Sequence, residues 1–210
     1  RGGEQAVRGR ASELRALVKL VEDGRSEKPA AWLDVGAGAG ALLNIVKPRG
    51  VVTCGIELDV GLAKQCEING HETICKDQHL AFAELIEQGR KFDVISVLHV
   101  VEHVNPDVAS DLFANCYAVL NVGGDIVVET PNASDPRVML GSFFRDPTHL
   151  RPYPAKLVEF MLADAGFDLM RTNIFDKVFD PTEDRQGVSS QFRDLRMYAS
   201  SISERLKDSS

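Results

Sequence analysis

Two short stretches of this chain carry side chains of the kinds that do chemistry. His99, Glu102 and His103 fall within SVLHVVEHV (96–104), and Asp146 and His149 within RDPTHLRPYP (145–154). Imidazoles and carboxylates this close can move a proton, ligate a metal or form the polar lip of a pocket. His-x-x-Glu-His is also an inverted zinc-peptidase pattern, which needs both histidines on one long helix. The flanks deny it that helix. An apolar strand runs into His99, and Asn105-Pro106 has the form of a new helix start, cap then proline. The remaining readings are a metal cluster and a pocket lip, and the lip is favoured.

Upstream lies LDVGAGAGALL (33–43). Gly36, Gly38 and Gly40 remove side chains where a strand turns tightly into a helix and a ligand approaches the backbone. The spacing is G-x-G-x-G rather than the G-x-G-x-x-G of dinucleotide sites, which weakens a pyrophosphate reading. Asp34 beneath that turn suits a cationic ligand. Glu57 closes the next apolar strand, placed to accept hydrogen bonds from a ribose diol. Asp77 follows the third strand, with Gln78 and His79 beside it, placed to hold an adenine amino group. Singly, each acid reads as a solvated loop residue and the glycines as a bare turn. Together they mark three successive strand ends.

The elements that must position these groups alternate. Strands are expected at 30–35, 50–59, 71–77, 91–98 and 123–132, and helices at 4–23, after the glycine turn, at 60–69, 79–89, 106–121 and 153–168. The strands are near-continuous apolar runs, as when helices cover both faces. The fold expected is α/β: a doubly wound, mostly parallel, Rossmann-like sheet with extra N- and C-terminal helices. A modestly amphipathic helix is expected at about 188–206 from Phe192, Leu195, Tyr198 and Ile202. The division expected is an N-terminal helix (1–28) acting as lid or interface, a ligand-binding domain (29–175) with an acceptor-side insert (133–153), and a helical extension (176–210).

LDVGAGAG, GIELD, the Lys76-Asp77 pair, FDVISVLHVVEHV and VGGDIVVETPN in this order resemble the class I S-adenosylmethionine-dependent methyltransferases, from Trp32 to about Phe167. Arg1-Gly2, Glu102-His103, Glu129 to Asn132 and DPTHLRPYP resemble a bacterial subgroup found beside or fused to glycosyltransferases of surface-polysaccharide assembly. Ala37 departs from it, where many relatives carry a cysteine or another residue. The resemblance implies S-adenosylmethionine as cofactor and S-adenosylhomocysteine as product. It places Asp34, Gly36, Ala37, Gly38, Gly40, Glu57, Leu58, Asp77, Gln78, Leu98 and His99 around the cofactor. It also implies a saccharide hydroxyl as acceptor and a glycosyltransferase as partner.

For the proton that must leave a hydroxyl, His149 is the leading base, with Asp146 orienting it; Glu102 and His103 shape the acceptor side or brace the turn. Some quinone-type O-methyltransferases have a similar Glu-x-x-Glu-His cluster that takes a divalent ion. Here His99 replaces the first acid, and no metal is expected. Arg137, Arg145, Arg151 and Lys156 suggest an anionic acceptor, unless they are scattered surface charges. A small aromatic or quinone-type acceptor and a non-catalytic cofactor-binding subunit are the alternatives.

Composition bounds the rest. The 210 residues carry a formal net charge of −7, which argues against a nucleic-acid-coating surface. No apolar run approaches the ~20 residues of a membrane span. Cys54, Cys66, Cys75 and Cys116 stand singly, without C-x-x-C pairs, as expected of thiols in a reducing cytoplasm. No secretory leader pattern is visible, although the chain opens on Arg1.

Overall fold

The computed structural model describes residues 2–176 and 193–201. The elements are α1 (Gly2–Gly24), β1 (Ala31–Val35), α2 (Leu43–Val46), β2 (Val52–Ile56), α3 (Val60–Ile68), β3 (Glu72–Ile74), α4 (Gln78–Glu87), β4 (Phe92–Leu98), α5 (Pro106–Val119), β5 (Leu120–Pro131), α6 (Ala155–Asp164), β6 (Phe167–Asp176) and β7 (Arg193–Ser201). They build one seven-stranded sheet in the order β3-β2-β1-β4-β5-β7-β6. The first five strands pair in parallel, and β7 lies antiparallel between β5 and β6. The expected α/β architecture is therefore present. Its switch point falls between β1 and β4, which pair although two strands separate them in sequence. A crevice opens outside the carboxyl ends of those two strands.

Each face of the sheet carries its own core. On one side Phe82 and Leu85 of α4, Leu112 and Phe113 of α5, and Met161 and Leu162 of α6 pack on Leu33, Ile95 and Ile126. On the other, Leu14, Leu17, Val18 and Val21 of α1 join Leu43 and Val46 of α2 against Trp32, Val94 and Val127. The helical spacing of the α1 residues is what lets them meet the sheet together. Trp32 is fully buried and satisfied: its indole nitrogen donates to Ser96 Oγ at 2.9 Å. Cys54, Cys66 and Cys116 are buried free thiols and Cys75 is exposed. Among the described residues no helix is long and apolar enough to cross a membrane.

The chain's end corrects one expectation. Residues 193–201 form a strand, not part of a helix, and complete the sheet rather than extend from it. The rest of the expected helix, 188–192 and 202–206, lies outside the described residues. Met197, Ala199 and Ser201 are buried at a spacing of two, the period of a strand. Arg196 is buried as well. Strand β6, also not expected, pairs with it from Phe167 to Asp176.

Candidate functional site

The turn after β1 is anchored to the neighbouring strand. The backbone N–H groups of Gly36 and Ala37 both donate to the Ile56 carbonyl, at 2.9 and 3.0 Å. Gly36 has φ +73°, and a Cβ there would stand 2.6 Å from a Val100 methyl, so glycine is required on both counts. Gly40 is required for packing: its Cβ would meet the His71 ring at 2.8 Å and Cys66 Sγ at 3.0 Å.

Glu57, at the end of β2, is held as an acceptor. Its Oε2 accepts the Gly38 N–H and its Oε1 the Asp59 N–H, both at 2.8 Å. Asp77 caps α4 by accepting the His79 N–H at 2.9 Å. These ends surround a cavity of about 1060 Å³. Of the residues expected around a cofactor, Gly36, Glu57, Leu58, Asp77, Gln78 and His99 line it. Asp34, Ala37, Gly38, Gly40 and Leu98 lie outside that lining. Asp34 is buried directly behind the wall and accepts from Ser96 Oγ at 2.5 Å. Burial pushes its carboxyl up to about 7, against the pull of the Ser96 hydrogen bond and the Arg10 charge.

His99 has φ +56°, the one non-glycine residue in that region among those described. Its N–H donates to the Glu129 carbonyl at 2.8 Å. The ring is held at both ends, Nδ1 by Glu102 Oε1 at 3.0 Å and Nε2 by Glu129 Oε1 at 3.1 Å. Glu129 is 2% exposed and also receives Arg10 of α1 at 2.7 Å and Arg196 Nε of β7 at 2.8 Å. Burial alone would push its carboxyl up. The His99 hydrogen bond and the charges of Arg196, Arg10 and His99 instead hold it well below the usual carboxylate range. Glu102, fully buried, accepts the Thr130 hydroxyl on Oε2 at 3.0 Å, and its carbonyl accepts the Leu150 N–H at 2.8 Å. Glu129, Arg10 and Arg196 were not among the expected site residues.

The other wall is made by Val100, His103, Val104, Val108 and Thr148. His103 Nδ1 lies 2.9 Å from Thr148 Oγ1 and 3.2 Å from the Thr148 carbonyl. Thr148 donates its hydroxyl to Asp146 Oδ1 at 2.5 Å, and its N–H reaches the same oxygen at 2.8 Å. His149 is outside the lining. Its Nδ1 meets the Phe143 carbonyl at 2.7 Å, its ring lies 4.8 Å from that of His103, and its Nε2 is 3.9 Å from Asp146. The expected orienting carboxylate thus serves Thr148 more closely than His149.

Glu102, His103 and His149 each bring one ligand-type atom within 4.8 Å of the others. Glu102 Oε1 also meets His99 Nδ1, and its Oε2 accepts the Thr130 hydroxyl. The expected basic patch disperses: Arg137 forks onto Asp135, Lys156 pairs with Glu159, and Arg151 lies over the Tyr153 ring at 5.2 Å. None of these three, nor the exposed Arg145, lines the cavity.

Comparisons with known proteins agree with this geometry. A family model described as a methyltransferase domain matches residues 7–172. A ubiquinone biosynthesis O-methyltransferase from Coxiella burnetii is 28% identical over 122 residues, 55% of this chain and 49% of that protein. One from Bradyrhizobium sp. (strain ORS 278) is 35% identical over 103 residues, 48% of this chain and 39% of that protein. The chain thus spans about half the length, or less, of these relatives. Among solved structures, an Archaeoglobus fulgidus SAM-dependent methyltransferase superposes with TM-score 0.74 at 22% identity, covering 94% of this chain and 97% of that one. The Burkholderia thailandensis 1,6-didemethyltoxoflavin-N1-methyltransferase, solved with S-adenosylhomocysteine, has TM-score 0.66 at 17% identity, covering 91% and 78%.

Proposed function

The chain belongs to the methyltransferase-domain family, and from that premise we propose that it is an S-adenosylmethionine-dependent O-methyltransferase with His103 as its base. The residues present fit the cofactor. Glu57 is an acceptor-only carboxylate fixed by two backbone N–H groups, with lone pairs left for a ribose diol. Asp77 and Gln78 line the cavity within reach of an adenine edge, and Gly36 presents bare backbone to it. Asp34 behind the wall offers a carboxyl that a nearby cation favours in its charged form. When bound, S-adenosylmethionine supplies an electrophilic methyl group on a sulfonium.

The chain's own part is to align the acceptor and take its proton. Alignment alone can contribute several kcal/mol of rate, of order the ~7–11 kcal/mol ceiling for well-oriented reactants. The observation that carries the reading is that His103, not His149, lines the cavity. For the acceptor we infer a saccharide hydroxyl of surface-polysaccharide assembly. The segment 146–154, which carries that resemblance, supplies Thr148 to the wall and is fastened to Glu102 through Leu150. With the four cations outside the lining, this acceptor need not be anionic. A second reading, a ring hydroxyl of an aromatic or quinone-type acceptor, is favoured by the apolar Val100, Val104 and Val108 and by the names of the relatives.

The test is methyl transfer from labelled S-adenosylmethionine to two panels, nucleotide sugars with glycans and hydroxylated aromatics. Transfer to a glycan or nucleotide sugar is expected, with kcat falling about 10²–10⁴-fold in His103→Ala. Transfer to the aromatics alone selects the second reading. An unimpaired His103→Ala enzyme removes the base assignment, and no transfer to any acceptor removes the enzyme.

A further inference from the structure

The Thr148 hydroxyl has a single proton, and the geometry commits it. At 2.5 Å from Asp146 Oδ1, that proton goes to the carboxylate, which accepts only. The 2.9 Å contact between Thr148 Oγ1 and His103 Nδ1 then needs a hydrogen from the ring. The Thr148 carbonyl, 3.2 Å from the same nitrogen, also only accepts. Nδ1 of His103 is therefore a donor, and in the neutral ring the lone pair sits on Nε2.

We propose that Asp146 and Thr148 are positioning residues forming a relay, Asp146–Thr148–His103, that locks neutral His103 in the Nδ1–H tautomer and leaves the lone pair on Nε2. This deepens the reading of His103 as the base and rests on it for its catalytic meaning. When Nε2 takes the acceptor's proton, the hydroxyl O–H bond breaks and its electron pair stays on the oxygen that attacks the methyl group. The new imidazolium keeps its Nδ1–H bond to Thr148, whose hydroxyl stays bonded to the Asp146 anion. No proton need pass beyond the ring. Hydrogen bonds from the Thr148 hydroxyl and N–H hold the Asp146 carboxyl below its ordinary range, so it stays an acceptor through neutral pH. His149 lacks this arrangement. Its Nδ1 is fixed by a carbonyl, but it lies outside the cavity lining, and its closeness to Asp146 is a longer 3.9 Å.

The relay makes a spectroscopic statement that needs neither acceptor nor cofactor. Long-range ¹H–¹⁵N NMR of histidine-labelled protein, with His103→Gln identifying the signal among five histidines, reads the tautomer directly. The neutral His103 ring is expected as Nδ1–H. Asp146→Ala frees the Thr148 proton for His103, so a mixture with the Nε2–H form is expected; Thr148→Ser should keep the wild-type tautomer. A wild-type Nε2–H ring would overturn the proposal, and that measurement stands even if a variant fails to fold. An Asp146→Ala protein still wholly Nδ1–H, or a Thr148→Ser protein that loses it, also overturns the relay. Calorimetry with S-adenosylhomocysteine keeps the two levels apart. Uptake by Asp146→Ala as by wild type is expected, whereas no uptake by wild type would remove the methyltransferase reading and leave the tautomer result intact.

Discussion

Replacing Asp34 by Asn tests how the cofactor wall is built. In the folded chain this carboxyl is buried beside Ser96, and its pKa rises from 3.8 to about 7. The gap is worth about 4 kcal/mol at roughly 1.4 kcal/mol per pH unit. Because the folded form holds the proton more tightly, this stabilisation is complete below pH 3.8. It is lost progressively as pH rises through about 7, where an anion must be buried. Asn keeps a carbonyl for the Ser96 hydroxyl and has nothing to titrate. Urea unfolding of wild type and Asp34→Asn between pH 4.5 and 8.5 isolates the effect, since every other titration is common to both. The stability of the variant relative to wild type should rise by about 3–4 kcal/mol across that window. Parallel curves, agreeing to within about 0.5 kcal/mol, would refute the burial argument. The same physics reaches the cofactor: a cation bound in front of Gly36 favours the ionised carboxyl. S-adenosylmethionine uptake at pH 7 should therefore release up to about half a proton, since the group is half ionised there, read by calorimetry in buffers of different ionisation enthalpy.

Glu57→Ala removes the acceptor of a ribose diol, at roughly 1.5–3 kcal/mol for each charge-assisted hydrogen bond, so Kd for S-adenosylhomocysteine should rise about 100-fold or more by calorimetry; a change under about fivefold contradicts the ribose role. Gly36→Ala combines a positive φ with a Cβ 2.6 Å from Val100, costing about 2–4 kcal/mol of stability in thermal or urea melts. The double variant Gly36→Ala/Val100→Ala should recover part of that loss, and no recovery would assign the whole cost to the backbone. Glu129→Gln removes the buried carboxylate that Arg10, Arg196 and His99 share, at about 3–5 kcal/mol in denaturant unfolding. A loss below about 1 kcal/mol would show that other groups carry that charge.

The central part of the fold was legible because its strands are buried on both faces and therefore read as unbroken apolar runs. Trp32, Leu33 and Val35 in β1, and Val94, Ile95 and Val97 in β4, show it directly. The last strand was not, for the opposite reason. A buried arginine reads as a surface residue, and Arg196 broke the apolar run that would have announced β7. Its justification is Glu129, 67 positions earlier, which no local window contains. Arg10 is a similar case, reading as the polar side of an amphipathic helix while its guanidinium reaches across 119 positions to that carboxylate.

The glycines and strand-end acids stand out in the sequence because each follows an apolar run at a turn, although the contacts that hold them, such as the Gly38 N–H on Glu57, reach across the sheet. The base we propose was not legible, because the proposal depends on which histidine lines the cavity. His149 stands in the more conspicuous motif, with an acid three residues before it. Yet the fold turns that acid onto Thr148 and through it onto His103, 45 positions away in sequence. His99 makes the same point from the other side. Its positive φ and two carboxylate partners make it part of the scaffold that joins α1, β5 and β7 behind the cavity. Of the two histidines in the opening stretch, one is thereby held by carboxylates at both ring nitrogens, and the other lines the cavity as the proposed base.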